Sequence, residues 1–170
     1  MENLEIKIRL DSLPRMKAAL GRIGARYCGV LRQKDTYFAC PEGRLKLREF
    51  PGKPAELIFY RRAEKGARRL SSFHILKVDE PTVFAGFMRR VLPVRAVVEK
   101  KRLLYYFKSA RIHLDAVKGL GSFLEIESEV RKGRAAARSL LDELMRELRI
   151  VPSDCIKKSY SDLPPASRGR

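Results

Sequence analysis

Glu125 and Glu127 stand two residues apart in SFLEIESEV. In an extended chain successive side chains alternate between faces, so both carboxylates reach the same side. Two oxygen donors beside bound phosphates is a common way of holding Mg2+. Glu5, on a separate alternating segment, offers a third. Elsewhere the pattern is cationic. RLKLREF sets Arg44, Lys46 and Arg48 on one face, AELIFYRR ends in Arg61 and Arg62, and Lys100 and Arg102 point the same way in VVEKKRLLYYF. Arginine makes bidentate contacts to phosphate, and lysine acts as a mobile point charge. A cationic wall and an anionic wall together suit a polyanion carrying a divalent ion.

A charged strand face is ordinarily the wet side of an antiparallel sheet. Here the signs are sorted by strand, and such crowding has an energetic consequence. Two like charges 4 Å apart repel by about 4 kcal/mol at an effective dielectric of about 20. A bound polyanion would relieve that repulsion. A metal beside it would bridge phosphate oxygens and neutralise charge that develops as a P–O bond breaks.

The elements that must position these groups follow from periodicity. NLEIKIRL, RLKLREF, AELIFYRR, residues 94 to 108, ARIHLDAV and SFLEIESEV alternate at period two, and residues 27–38 and 70–78 bring the strands to about eight. Three helices are interspersed. The first follows a cap at Asp11 or Ser12, with a stripe of Leu13, Met16, Leu20 and Ile23. The second runs from about Pro81 to Val91 with Val83, Phe84, Phe87, Met88 and Val91. The third spans AAARSLLDELMRELRI, and a short fourth starts at Ser153 and carries Ile156 and Tyr160. Apolar helix stripes need apolar strand faces to cover them. The charged strand faces then look the other way, and about eight antiparallel strands that close place those faces inside a barrel.

Composition narrows the partners. Lys and Arg number 37 against 20 Asp and Glu, a net charge of +17, which favours anionic partners. Cys28, Cys40 and Cys155 show no metal-binding spacing, and with His74 and His113 the only histidines a zinc site is not expected. No signal peptide and no membrane-length apolar run is found, so a cytoplasmic protein without a membrane partner is expected. One domain over residues 1–163 and a flexible tail over 164–170 are expected.

The segments NLEIK, LKLRE, ELIFY with its following Arg, EKKR, RIHLD, GLGSFLEIE and KKSYSDL, in this order, resemble the CYTH group. That group comprises class IV adenylate cyclases and thiamine triphosphatases within the triphosphate tunnel metalloenzymes. The resemblance spans about residues 3 to 163. It implies an α+β fold: an eight-stranded antiparallel β-barrel, or triphosphate tunnel, with helices packed on its outside and Mg2+ or Mn2+ within. The family's ExExK falls on Asn3, Glu5 and Lys7, its phosphate ligands on Lys46, Arg48, Arg62, Lys100, Arg102 and Arg111, and its metal ligands on Glu5, Glu125 and Glu127 with Asp115 nearby. Its C-terminal lysine resembles Lys158 in preference to Lys157. Lys7 and Glu5 are the candidate catalytic residues, Lys7 as a phosphate ligand or a group that orients water. Asn3 departs from the pattern: a neutral amide replaces a carboxylate and removes one negative charge from the metal site.

Three functions are in view. A phosphohydrolase would cleave the terminal phosphate of inorganic triphosphate, a nucleoside triphosphate such as ATP, or thiamine triphosphate. A class IV-type adenylate cyclase would convert ATP to cyclic AMP and pyrophosphate in the same tunnel. A non-enzymatic polyphosphate- or RNA-binding module would use the positive charge alone, with Arg61, Arg68, Arg69, Arg89, Arg90, Arg131 and Arg134 outside the tunnel motifs. Among the remaining groups, His113 is expected as a strand-surface residue, Asp115 as a support for Arg111, Gly119 and Gly121 as a tight turn, and Tyr105 and Tyr106 as packing.

Overall fold

The computed structural model describes residues 2–62 and 69–164, the side chains of Arg62 and Lys132 excepted. The tail from 165 onward lies outside the described residues. In chain order the elements are β1 (Glu2–Leu10), α1 (Leu13–Arg22), β2 (Arg26–Phe38), β3 (Arg44–Phe50), β4 (Lys53–Arg62), β5 (Arg69–Val78), α2 (Pro81–Val91), β6 (Val94–Phe107), β7 (Ala110–Val117), β8 (Gly121–Glu129) and α3 (Arg134–Glu147). All eight strands pair antiparallel into a closed barrel in the order β1-β5-β4-β3-β2-β6-β7-β8. Closure leaves no sheet edge exposed.

Two apolar layers cover the outside. Leu20 of α1 and Leu141, Leu144 and Met145 of α3 pack on the outward residues of β1, β7 and β8, among them Ile6, Ile8, Ile112, Leu114, Leu124 and Ile126. α2 presses Ala85 and Met88 onto Phe38, Leu47 and Ala55 of β2, β3 and β4. α1 starts at Ser12, whose hydroxyl accepts from the Arg15 amide at 3.4 Å, with Pro14 in its first turn. The expected stripe of α2 is only partly buried. Phe84 is half-buried, whereas Val83, Phe87 and Val91 face outward. Small Ala85 lets the helix lie close to the sheet, and that contact sets its rotation.

The expected fourth helix is absent. Pro152–Asp154 and Tyr160–Asp162 each form a single 3-10 turn, separated by extended chain. The segment spends its backbone on the barrel instead: Cys155 bridges Ile8, and the Ile156 amide donates to the Lys7 carbonyl at 2.7 Å. Beyond it Tyr160 sets its ring against Phe123, with centroids 5.0 Å apart. With Val117, Leu120, Tyr37 and Tyr60 these rings form a third apolar cluster, at the end of the barrel that carries the β7–β8 turn. That turn holds Gly119 and Gly121 at φ 74° and 98°, as expected of a tight turn. A Cβ on Gly121 would come within 3.2 Å of Arg9, whose guanidinium donates to the Leu120 carbonyl. No helix among the described residues is long and apolar enough to cross a membrane.

Leu144 is fully buried between α3 and the barrel. Leu144→Ala is expected to destabilise the chain by about 2–5 kcal/mol, read from urea unfolding. A loss below about 0.5 kcal/mol, the range of surface changes, would show that α3 does not anchor the barrel wall.

Candidate active site

Because the outward positions are apolar, the alternate positions of every strand look inward. They line a cavity of about 450 Å3. β8, with Glu125 and Glu127, lies across the ring from β3, with Lys46 and Arg48. The sorted walls expected from the sequence therefore do face each other in one enclosure, together with Lys7 of β1 and Lys100 and Arg102 of β6.

The cationic wall is not bare. Asp35 of β2, fully buried, sits beneath it and opposite Arg48 in the strand register. Arg48 donates to both its oxygens at 2.8 Å, Lys46 to Oδ2 at 3.0 Å and Lys100 to Oδ2 at 2.8 Å. Burial pushes this carboxyl up, but Arg48, Lys100 and Lys46 together hold it well below the ordinary carboxylate range. The same crowding weakens one cation. Burial, reinforced by Arg48, Arg102 and Lys46 and opposed by Asp35, brings the Lys100 ammonium down from 10.5 to about 7.

Arg102 joins the two walls. It grips its cross-strand neighbour Asp115 bidentately at 2.7 and 2.6 Å and reaches Glu125 Oε2 at 2.6 Å. The Tyr160 hydroxyl donates to Asp115 Oδ2 at 2.8 Å. Lys7 lies 3.3 Å from Glu125 and 3.8 Å from the centre of the Tyr160 ring. Nearer the mouth, Arg111 pairs with Glu127 at 2.8 Å. Glu5 pairs with Arg69 at 3.2 Å, and Arg69, fully buried, also donates to the Lys157 carbonyl at 2.5 Å.

On the acidic side His113, Glu125 and Glu127 bring one ligand atom each to within 4.8 Å of one another. His113 Nδ1 is buried without a hydrogen-bond partner, 3.8 Å from Glu125 and 3.7 Å from Glu127. Burial raises both carboxyls. Lys7, His113 in its protonated form and Arg102 nevertheless bring Glu125 well below its usual value, and protonated His113 and Arg111 lower Glu127; an ion bound there would take the place of that ring proton. Two ionised carboxylates and an orphaned nitrogen facing one point fit a divalent cation.

A family model for the CYTH domain matches residues 1–160. The chain belongs to the CYTH domain family. A curated relative, "Putative adenylate cyclase MJ0240" of Methanocaldococcus jannaschii, is 22% identical over 96% of this chain and 98% of its own. The PH1012 protein of Pyrococcus horikoshii OT3 superposes with a TM-score of 0.86 at 23% identity, covering 96% of this chain and 99% of its own. HpAC1 of Hippeastrum, described as having a dominant triphosphatase activity, superposes with a TM-score of 0.66 at 17% identity over 88% and 89% of the two chains. At these identities the superpositions speak for the fold.

Within this CYTH domain, Glu5, Lys7, Lys46, Arg48, Lys100, Arg102, Arg111, Glu125 and Glu127 all line the one cavity. Arg62 ends β4, with its side chain outside the described part. Other expected placements are corrected. Lys158 is exposed and does not line this cavity; the chain turns Ser159 and Tyr160 into it instead. Asp115 supports Arg102, not Arg111, and its oxygens are taken by Arg102 and Tyr160, which leaves it poorly disposed to ligate an ion. His113 is inside the barrel, not on its surface. Tyr105 is core, as expected, but Tyr106 lines the tunnel. Arg69 is inside, and Arg131 lines the mouth, while Arg61, Arg89, Arg90 and Arg134 are exposed and Arg68 lies outside the described residues. The Asn3 amide can be set either way round: Nδ2 at 3.4 Å from Glu127, or reversed, its oxygen accepting from Arg111 at 3.2 Å and its nitrogen donating to the Glu2 carbonyl at 2.9 Å. The reversed setting satisfies both ends of the amide.

Sequence reasoning missed Asp35, Tyr160 and Arg69. For Asp35 a signal existed: in RQKDTYF the inward set Gln33, Asp35 and Tyr37 holds a single carboxylate, on a strand pairing with the one that carries Lys46 and Arg48.

Asp35→Asn leaves three cations without their shared carboxylate. It is expected to lose about 3–5 kcal/mol in denaturant unfolding. Added inorganic tripolyphosphate is expected to raise the Tm of this variant more than that of the parent. Equal stability of the two proteins would show that Asp35 does not neutralise the wall. Lys100 gives a pH signature. Its folded value lies below its unfolded one, so between about 7 and 10.5 the unfolded chain holds the extra proton and stability rises with pH. Thermal unfolding across that window should show a rise in the parent that is reduced in Lys100→Met; identical slopes would refute the depressed amine.

Proposed function

We propose that this CYTH domain is a divalent-metal-dependent phosphohydrolase that draws a triphosphate into the tunnel and hydrolyses its terminal phosphate. Inorganic, nucleoside and thiamine triphosphates are the candidate substrates. One observation carries the reading: the Lys46–Arg48–Lys100–Arg102 bed and the Glu125–Glu127–His113 cluster share a single cavity. A bed of cations alone would suit any polyanion. A cation bed facing a metal-competent cluster suits a phosphate chain whose bond is to be broken.

Lys46, Arg48 and Lys100 bind phosphate oxygens. Asp35 holds all three from below, but one carboxylate cannot use every N–H they carry, so donors remain for the ligand. Their tips are set before substrate arrives, and no reorganisation is needed during the reaction. Arg102, fixed by Asp115, stands where the cation bed meets the acidic cluster and can contact a phosphate shared between them. Glu125, Glu127 and His113 would hold Mg2+ or Mn2+, which when bound neutralises charge developing on the phosphate oxygens. Lys7, restrained by Glu125 and the Tyr160 ring, binds the phosphate beside that cluster or orients the attacking water. Glu5 lines the same side with its carboxylate on Arg69. The three free cysteines accord with a reducing compartment such as the cytoplasm.

A second reading, adenylate cyclase, is favoured by the apolar lining outside the charged zone. Leu31, Phe50, Phe73, Ile75, Leu104 and Tyr106 offer a surface for an organic group attached to the triphosphate. Product analysis separates the two. With ATP or tripolyphosphate and Mg2+ or Mn2+, free phosphate is expected; cyclic AMP with pyrophosphate would replace this reading by the cyclase. Glu127→Gln is expected to lower the rate by about a hundredfold or more, since even outer-shell partners of metal ligands cost 10–100-fold. Undiminished turnover in that variant would dismiss the metal-dependent mechanism.

A further inference from the structure

His113 differs from the other buried polar groups of the tunnel. It projects inward from β7, is 5% exposed, and its Nδ1 has no hydrogen-bond partner. An orphaned buried nitrogen is unfavourable and calls for an explanation. Its separations from Glu125 Oε2 and Glu127 Oε1, 3.8 and 3.7 Å, are too long for hydrogen bonds. They do match the spacing of neighbouring atoms around one ion, since ligands about 2.0–2.2 Å from a metal lie roughly 3–4 Å apart. Lys7, Arg102 and Arg111 restrain the two carboxylates, so they face the imidazole as a fixed pair.

Asn3 matters to the same site. Its amide is occupied by Arg111 and the Glu2 carbonyl, and it brings no negative charge. Glu5 is held by Arg69. Glu5 is not in the group of converging acidic and histidine donors, which is His113, Glu125 and Glu127. Mg2+ strongly prefers oxygen ligands and retains water, whereas first-row transition ions gain from an imidazole. A site with fewer carboxylates and one nitrogen shifts in their favour.

We propose that His113 is a nitrogen ligand in a one-histidine, two-glutamate site and makes that site select Mn2+ over Mg2+. This rests on the metal-dependent reading above. The test uses the full chain loaded with Mn2+ and electron spin-echo spectroscopy. A nitrogen hyperfine coupling is expected, altered when histidine is isotopically labelled at nitrogen. His113→Gln should abolish the coupling and weaken Mn2+ binding about tenfold or more, with Mg2+ affinity, measured by competition, changed by less than about threefold. His74→Gln, on an exposed position of β5, should change neither. Mn2+ bound without histidine coupling in the parent protein, or equal loss of both ions in His113→Gln, would overturn the proposal. The parent spectrum decides the matter even if His113→Gln fails to fold. If the parent binds neither ion, the metal-dependent reading falls and takes this inference with it.

Discussion

Closing the barrel traps charge, and the rest of the structure answers to that constraint. Once helices cover the apolar faces, every charged face must share one interior of lowered dielectric, where an unpaired ion is strongly unfavourable. The relief comes from register. Lys7 with Glu125, Glu5 with Arg69, Asp35 with Arg48, Arg102 with Asp115 and Arg111 with Glu127 are all direct cross-strand partners. Strand pairing thus supplies these five charge pairs, and Lys46 and Lys100 on Asp35 and Arg102 on Glu125 add diagonal ones. A slip of one residue in any strand would turn its ions outward and its apolar residues inward, so the ionic interior and the two outer layers specify the same register.

Such pairs contribute little net stability but fix position. Asp35 and Asp115 show what that positioning achieves. Each lies under the tunnel surface, fully buried, with both oxygens engaged by side chains that face the cavity. They set the tips of Lys46, Arg48, Lys100 and Arg102 without presenting their own charge to a ligand. The outer layers make this rigid: α3 and α1 back the strands that carry the glutamates, and α2 backs β2 and β3, which carry Asp35, Lys46 and Arg48.

The barrel was legible because alternation at period two has one consistent meaning when helix stripes must also be buried. The cations and glutamates were legible for the same reason, since their face was forced. What stayed hidden depended on the third dimension. Asp35 stands alone on its strand and gains meaning only from β3 and β6 on either side of it. Arg69 stands outside the tunnel motifs and read as surface charge, yet the β1–β5 pairing turns it toward Glu5. Tyr160 sits beyond the last regular element and read as a helix residue. It enters the site because Ile156 pairs with Lys7 and draws the chain into the end of the barrel. Lys158 was misplaced by the same segment: an extended path puts neighbouring residues on opposite sides, and Ser159 took the inward one.

Fold alone leaves the chemistry open, since the superposed structures share little sequence with this chain. The distribution of satisfied and unsatisfied groups is more informative. Asp35 and Asp115 are saturated by N–H and O–H donors and are therefore scaffolding. Lys46, Arg48, Lys100 and Arg102 carry more donors than those two carboxylates can accept, so the excess is directed at a ligand rich in acceptors. His113 shows the opposite imbalance: an unpartnered ring nitrogen, set beside two carboxylates that burial alone would protonate and nearby cations keep ionised. Donors in excess on one wall and electron pairs in excess on the other are complementary to an anion that brings its own cation. A metal-bound phosphate chain meets both demands at once, and neither wall by itself would require it.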